Sequence, residues 1–114
     1  MTDNIRVIAS DFDGTILKDG AQHVDEVYFP LIRELKSMGI SFIAASGRQY
    51  ANLRRLLWPV ADEISYICEN GALIAQGGRI LYQNEIDRRI ALPLIADMQA
   101  VSGTETVVSG ADSS

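Results

Sequence analysis

Two carboxylates one residue apart, Asp11 and Asp13, stand in the run Asp11-Phe12-Asp13-Gly14-Thr15, directly after the apolar stretch Ile5 to Ser10. Like charges this close repel, so the pair is costly unless a positive group lies between or beside them. A hard dication with oxygen ligands, Mg²⁺, meets that need. It would also screen an incoming phosphate, which otherwise repels a carboxylate nucleophile. One carboxylate can then form a covalent aspartyl-phosphate, dividing the reaction into two easier steps. The other can protonate the leaving alcohol and later activate water. Gly14 permits a tight turn that lets backbone N–H groups approach a phosphate. Carboxylates that merely cap a turn are the plain alternative; the Gly-Thr continuation after an apolar strand favours chemistry. A calcium-binding loop requires further acidic residues and a glycine at fixed offsets. Thr15, Ile16 and Gln22 stand there instead, and that reading fails.

Such residues need a scaffold, and the chain alternates strand and helix patterns. Ile5 to Ser10 is short, apolar and β-branched, as a buried strand is. Asp25 is placed to cap a helix reaching Met38, with Val27, Leu31, Leu35 and Met38 at helical spacing and Gly39 where a helix stops. Pro30 predicts a kink or a later start. Ile40 to Ala45 reads as a second strand, Gln49 to Leu57 as a helix ended by Pro59, and Ile64 to Cys68 as a third strand. Leu73 to Ala75 and Arg79 to Tyr82 flank Gly77-Gly78 as a hairpin does. Arg89 to Val101 reads as a helix delayed or interrupted by Pro93, and Thr104 to Ser109 as a further strand. Strand and helix in alternation imply a parallel sheet with crossover helices, whose ligands bind at the carboxyl ends of the strands. Asp11 to Thr15, Ser46 to Arg48, and Glu69 to Ala72 therefore share one rim.

The first of these loops resembles the signature of the haloacid dehalogenase-like phosphatase superfamily. The resemblance implies that Asp11 is nucleophile and metal ligand. It makes Asp13 the general acid and base, with its main-chain carbonyl on the metal, and gives the Phe12 backbone a part in holding phosphate. Ser46-Gly47 stands where the superfamily has a hydroxyl that donates to the phosphoryl group, and a helix N-terminus there would add positive potential. Ala45-Ser46-Gly47-Arg48 followed by Glu69-Asn70-Gly71-Ala72 is similar to the Cof-type subgroup, in which the Asn lies near substrate, implicating Asn70. The implied fold is a three-layer Rossmann-like α/β core over residues 1–83, with an α/β cap beginning at 84–114. The implied activity is Mg²⁺-dependent hydrolysis of small phosphate monoesters such as sugar or cofactor phosphates. A phosphomannomutase-like phosphoryl transferase shares the first motif, and an inactive binding fragment would share the fold. The superfamily also uses a Lys after the second motif and a Gly-Asp-x-x-Asp segment. Here Lys18 and Lys36 both precede Ser46, and no Gly-Asp pair occurs. The expectation is a piece of a longer protein, inactive alone; the alternative is that another chain supplies these groups.

Composition narrows the partners. Ten Lys and Arg against fifteen Asp and Glu give a net charge of −5, which argues against a nucleic-acid surface. A small phosphorylated metabolite remains compatible, because a few local groups and a metal bind it. No apolar run is long enough for a membrane span, the start Met1 to Asn4 lacks signal-peptide character, and the single cysteine suggests a reducing cytoplasm. Cys68 reads as a buried apolar residue and Trp58 as a core or interface anchor. Arg48 could be structural and ion-pairing or catalytic. His23, Arg54-Arg55 and Arg88-Arg89 read as solvated.

Overall fold

Branched and aromatic residues in short runs set the strands, and their order in space decides which loops meet. The computed structural model describes residues 4–111, so Met1 to Asp3 and Asp112 to Ser114 lie outside the described residues. Strand β1 (Val7–Asp11), helix α1 (Tyr28–Ser37), β2 (Ser41–Ala45), α2 (Tyr50–Leu56), β3 (Ser65–Cys68), the hairpin β4 (Leu73–Gln76) and β5 (Arg79–Gln83), and α3 (Arg88–Gln99) follow in chain order. The five strands form one sheet in sequential order. β1, β2 and β3 are parallel, while β4 and β5 join antiparallel. The parallel part and the hairpin are as the pattern predicts, and together they make a mixed open α/β sheet.

Alternation along the strands divides the sheet into two faces. Phe42, Ala44, Tyr66, Cys68, Leu73 and Ala75 are buried on one face. Ile32 of α1, Leu53 and Leu56 of α2, and Leu57 and Val60 just after it complete that core. Ile43, Ile67 and Ile74 on the other face are half-buried. The inward stripe of α1 is Tyr28, Ile32 and Leu35, not the Val27, Leu31, Leu35 and Met38 stripe of the periodicity, since Val27, Leu31 and Met38 are exposed. Pro30 is third in α1, within the first turn, where backbone N–H groups have no helical partner, so it costs no hydrogen bond. Asp25 caps the turn leading in, accepting from Val27 N–H at 3.0 Å.

Two further expectations differ. Of the two places offered for Trp58, core or interface, the core is excluded: it begins a one-turn 3₁₀ helix with Pro59 and is 75% exposed. Thr104 to Ser109 forms no strand with any described residue, and Val107 and Val108 are exposed there. α3 buries none of its residues. No helix of the described residues is long and apolar enough to cross a membrane.

Cys68 is fully buried, as expected, and burial pushes its thiol up to about 11. Burial also raises the Tyr66 phenol, whose O–H donates to the Ala61 carbonyl at 2.7 Å. The folded chain thus keeps protons that the unfolded chain releases at lower pH. Stability should fall as pH rises from the free thiol's value of about 8.5 toward the folded value. Cys68→Ala should flatten that fall in urea titrations across the alkaline range. An unchanged slope would count against a buried thiol.

Candidate active site

The parallel register aligns the strand ends. Asp11 is opposite Ala45, and Ala45 is opposite Ile67. The loops that follow β1, β2 and β3 therefore begin side by side. Backbone bonds stitch the second and third together: Ser46 N–H donates to the Ile67 carbonyl (2.9 Å), Glu69 N–H to that of Arg48 (3.0 Å) and Asn70 N–H to that of Ser46 (3.4 Å). The first loop folds on itself, with the Phe12 carbonyl accepting from Thr15, Ile16 and Leu17. Phe12 itself is fully buried, which anchors the loop between its two carboxylates. Gly14 has φ +79°, the left-handed turn expected of it, and its N–H donates back to Leu17 at 2.8 Å.

Asp13 and Ser46 meet directly. The Ser46 hydroxyl donates to Asp13 Oδ2 at 3.2 Å and accepts from the Arg48 N–H at 3.1 Å. Ser46 is not the cap of α2, whose N-cap is Gln49 without a side-chain cap bond. Arg48 resolves toward ion pairing. Its Nη2 and Nε donate to Asp13 Oδ1 at 2.7 and 2.9 Å, with Nε also 3.1 Å from Oδ2. Its Nη1 donates to Asn52 Oδ1 at 2.7 Å. The guanidinium carbon lies 6.0 Å from the centre of the Phe12 ring. Hydrogen bonding from Arg48 holds the Asp13 carboxyl below its usual range, and Asp13 raises Arg48 in return. The positive neighbour that two close carboxylates require is thus partly a side chain of the protein. Asn52 is a further member of the rim that sequence reading overlooked; its signal was the four-residue spacing from Arg48 on one side of a helix.

Asp11 differs from Asp13. Its side chain is exposed and enters no hydrogen bond with any described residue. The backbone of Asp13 is also open: it is the apex of a parallel bridge with Leu17, whose two bonds run from Phe12 and Gly14. Its own N–H and C=O therefore remain free of described partners. An open carboxylate and an open carbonyl are hard oxygen donors that suit Mg²⁺. They are two donors and not a complete shell: no group of three His, Cys, Asp or Glu side chains able to hold a metal forms among the described residues.

Asn70 comes to the rim through strained backbone. Glu69 and Asn70 have φ +54° and +55°, in the left-handed region that side chains other than Gly and Asn avoid. Gly47 makes room for it: a Cβ on Gly47 would lie 2.8 Å from Asn70 Oδ1. The Glu69 carboxylate accepts from the Ser109 hydroxyl, which accepts from Gln49 Nε2, both at 2.8 Å.

These features coincide with a known group. A family profile described as haloacid dehalogenase-like hydrolase matches residues 8–113. The chain belongs to that family. Among curated relatives, the 5-amino-6-(5-phospho-D-ribitylamino)uracil phosphatase YbjI of Escherichia coli strain K12 is 28% identical over 110 residues, covering 96% of this chain and 41% of the relative. Among solved structures, a haloacid dehalogenase-like hydrolase from B. subtilis superposes with a TM-score of 0.71 at 25% identity, covering 84% of this chain and 34% of that one. SMU.1108c from Streptococcus mutans UA159 gives 0.72 at 28% identity, covering 83% and 36%. The chain thus spans about two fifths or less of the length of these relatives. The fold of the haloacid dehalogenase-like hydrolases is the one that the resemblance of the first loop implied.

The backbone at Asn70 gives a direct stability test. Asn70→Gly relieves the left-handed conformation and Asn70→Ala worsens it, so the alanine variant should be less stable than the glycine variant by about 1 kcal/mol. Urea midpoints measure the difference, and coincident midpoints would remove the argument that this turn selects its residue.

Proposed function

We propose that the chain is the front part of a magnesium-dependent phosphatase that hydrolyses small phosphate monoesters through an aspartyl-phosphate on Asp11. The observation that carries the reading is the contrast between the two carboxylates: Asp11 is exposed and unengaged, whereas Asp13, two residues on, is held by Arg48 and Ser46. A nucleophile needs an open oxygen, and an acid or base needs a fixed position near the leaving group.

In this reading an Asp11 carboxylate oxygen attacks phosphorus, and the bond from phosphorus to the ester oxygen breaks. The departing oxygen takes the electron pair and a proton from the Asp13 carboxyl, which must hold that proton against Arg48, whose hydrogen bonds favour the ionised form. Water then attacks the phosphorus of the aspartyl-phosphate, gives a proton to Asp13, and frees Asp11 and inorganic phosphate. The Ser46 hydroxyl, turned from Asp13 to the substrate, and the backbone N–H groups of Phe12 and Asp13 hold phosphoryl oxygens, and Gly47 and Gly14 keep the space clear of side chains. Asn70 reaches substrate from the opposite loop. Asp11 and the Asp13 carbonyl would hold Mg²⁺, which when bound masks the repulsion between carboxylate and phosphate.

Residues 84–114 are read as the beginning of a cap over the 1–83 core, supported by an α3 in which only Ala91 and Ile95 are half-buried and no residue is fully so. Sugar phosphates or phosphorylated cofactors suit a pocket closed by such a cap. The E. coli relative is by name a phosphatase for a phosphorylated ribitylamino-uracil, which lies within that class. Phosphoryl transfer between positions of a sugar is the enzymatic rival, and isomer formation without phosphate release would favour it. The lysine and second acidic segment of the superfamily are absent from this chain, so the 114 residues alone are read as inactive.

Assay of the complete enzyme with Mg²⁺ and phosphate esters tests the proposal. Asp11→Asn should lower phosphate release on the order of 10³-fold or more, and chelation should abolish it until Mg²⁺ is restored. Asp11→Asn activity within a few fold of the parent would contradict the nucleophile assignment. Turnover by the 114-residue chain would contradict its reading as an incomplete site.

A further inference from the structure

We propose that Arg48, braced by Asn52, is the positioning residue that aims the Asp13 carboxyl at the leaving oxygen; the inference rests on Asp13 being the acid and base of the reaction proposed above. Asp13 lies on a loop, and its side chain is 50% exposed, so by itself it would sample several rotamers. Three donor contacts from one planar fork remove that freedom, at 2.7, 2.9 and 3.1 Å. The fork is itself held. Nη1 is bonded to Asn52 on α2, the guanidinium lies over the buried Phe12 ring, and the Arg48 main chain donates to the same Ser46 hydroxyl that donates to Asp13. Every guanidinium nitrogen is engaged, so Arg48 is a fixed brace and not a loose cation waiting for a substrate anion. The brace also ties the β1 loop to the β2 loop, across 35 residues of chain.

The position of Asp13 matters in proportion to how badly the leaving oxygen needs a proton. When the bond from phosphorus to an alkyl oxygen breaks, the oxygen cannot depart as an alkoxide without one. A nitrophenolate departs largely unaided. Loss of the brace should therefore discriminate between leaving groups, which a general loss of folding or of phosphate binding would not do.

The test uses the complete enzyme with Mg²⁺ and two substrates, an alkyl phosphate and p-nitrophenyl phosphate. In rapid-quench measurements of aspartyl-phosphate formation, the one step in which the leaving oxygen departs, Arg48→Ala should lower the rate on the alkyl ester about 10²-fold, with only a few-fold change on the aryl ester and in KM. Arg48→Lys keeps the charge without the fork and should restore little of the alkyl rate. Asn52→Ala should show the same selectivity more weakly. In an Asp13→Asn background, Arg48→Ala should cost nothing further on the alkyl ester, because the brace then has no acid to aim. Arg48→Gln serves if the alanine variant fails to fold. Equal losses on both esters, a loss lying in KM, full rescue by lysine, or multiplying losses in the double variant would each overturn the proposal and make Arg48 a substrate contact. A severe Asp13→Asn defect with an innocuous Arg48→Ala would overturn the brace alone. An innocuous Asp13→Asn would overturn the acid and base assignment along with it.

Discussion

The parallel, in-register pairing of β1 with β2 and of β2 with β3 is the constraint from which the site follows. A parallel pair points its carboxyl ends the same way, and register decides whether the loops beyond those ends can touch. With Asp11 beside Ala45 and Ala45 beside Ile67, the loops that follow these strands come within hydrogen-bond distance of one another. A slip of one residue would turn the core side chains Phe42, Ala44, Tyr66 and Cys68 toward the other face. Packing of that core thus holds the rim in alignment, so the geometry of the rim depends on residues outside it.

On that frame the charges sort themselves. Two carboxylates at one strand end repel, and leaving both bare would be costly. Arg48 takes one of them, leaving the other open beside an open carbonyl. The pair is made where both side chains keep contact with water, 35% and 50% exposed, so its worth lies in geometry more than in stability. The same economy appears at the third loop, where two residues accept left-handed backbone so that Asn70 faces the glycine of the second loop.

Much of this was legible in the sequence. Short β-branched runs, glycine at turns and the Asp-x-Asp-Gly-Thr motif give the strands, the hairpin and the rim, because each depends on local backbone rules. Residues that depend on distant partners were not legible. The need for a positive group near Asp13 could be read, but its source could not, since a long arginine reaches across loops only after the register is set. Trp58 looks like a core residue by type, yet the turn forced by Pro59 carries it outward. Thr104 to Ser109 has the alternation of a strand, and a strand exists only where an edge lies beside it; here Ser109 instead ties Gln49 to Glu69. The inward stripe of α1 escapes periodicity because several stripes of a short helix are apolar, and only the neighbouring strand selects one.

Open against held carboxylate is the claim that everything functional rests on, and chemical trapping addresses it most directly. When the complete enzyme is quenched during turnover of an aryl phosphate, tritiated borohydride would reduce any aspartyl-phosphate to labelled homoserine with release of phosphate. The account predicts label in the peptide that contains position 11, at that position and not at 13. Label at Asp13, or at any residue other than Asp11, would contradict it.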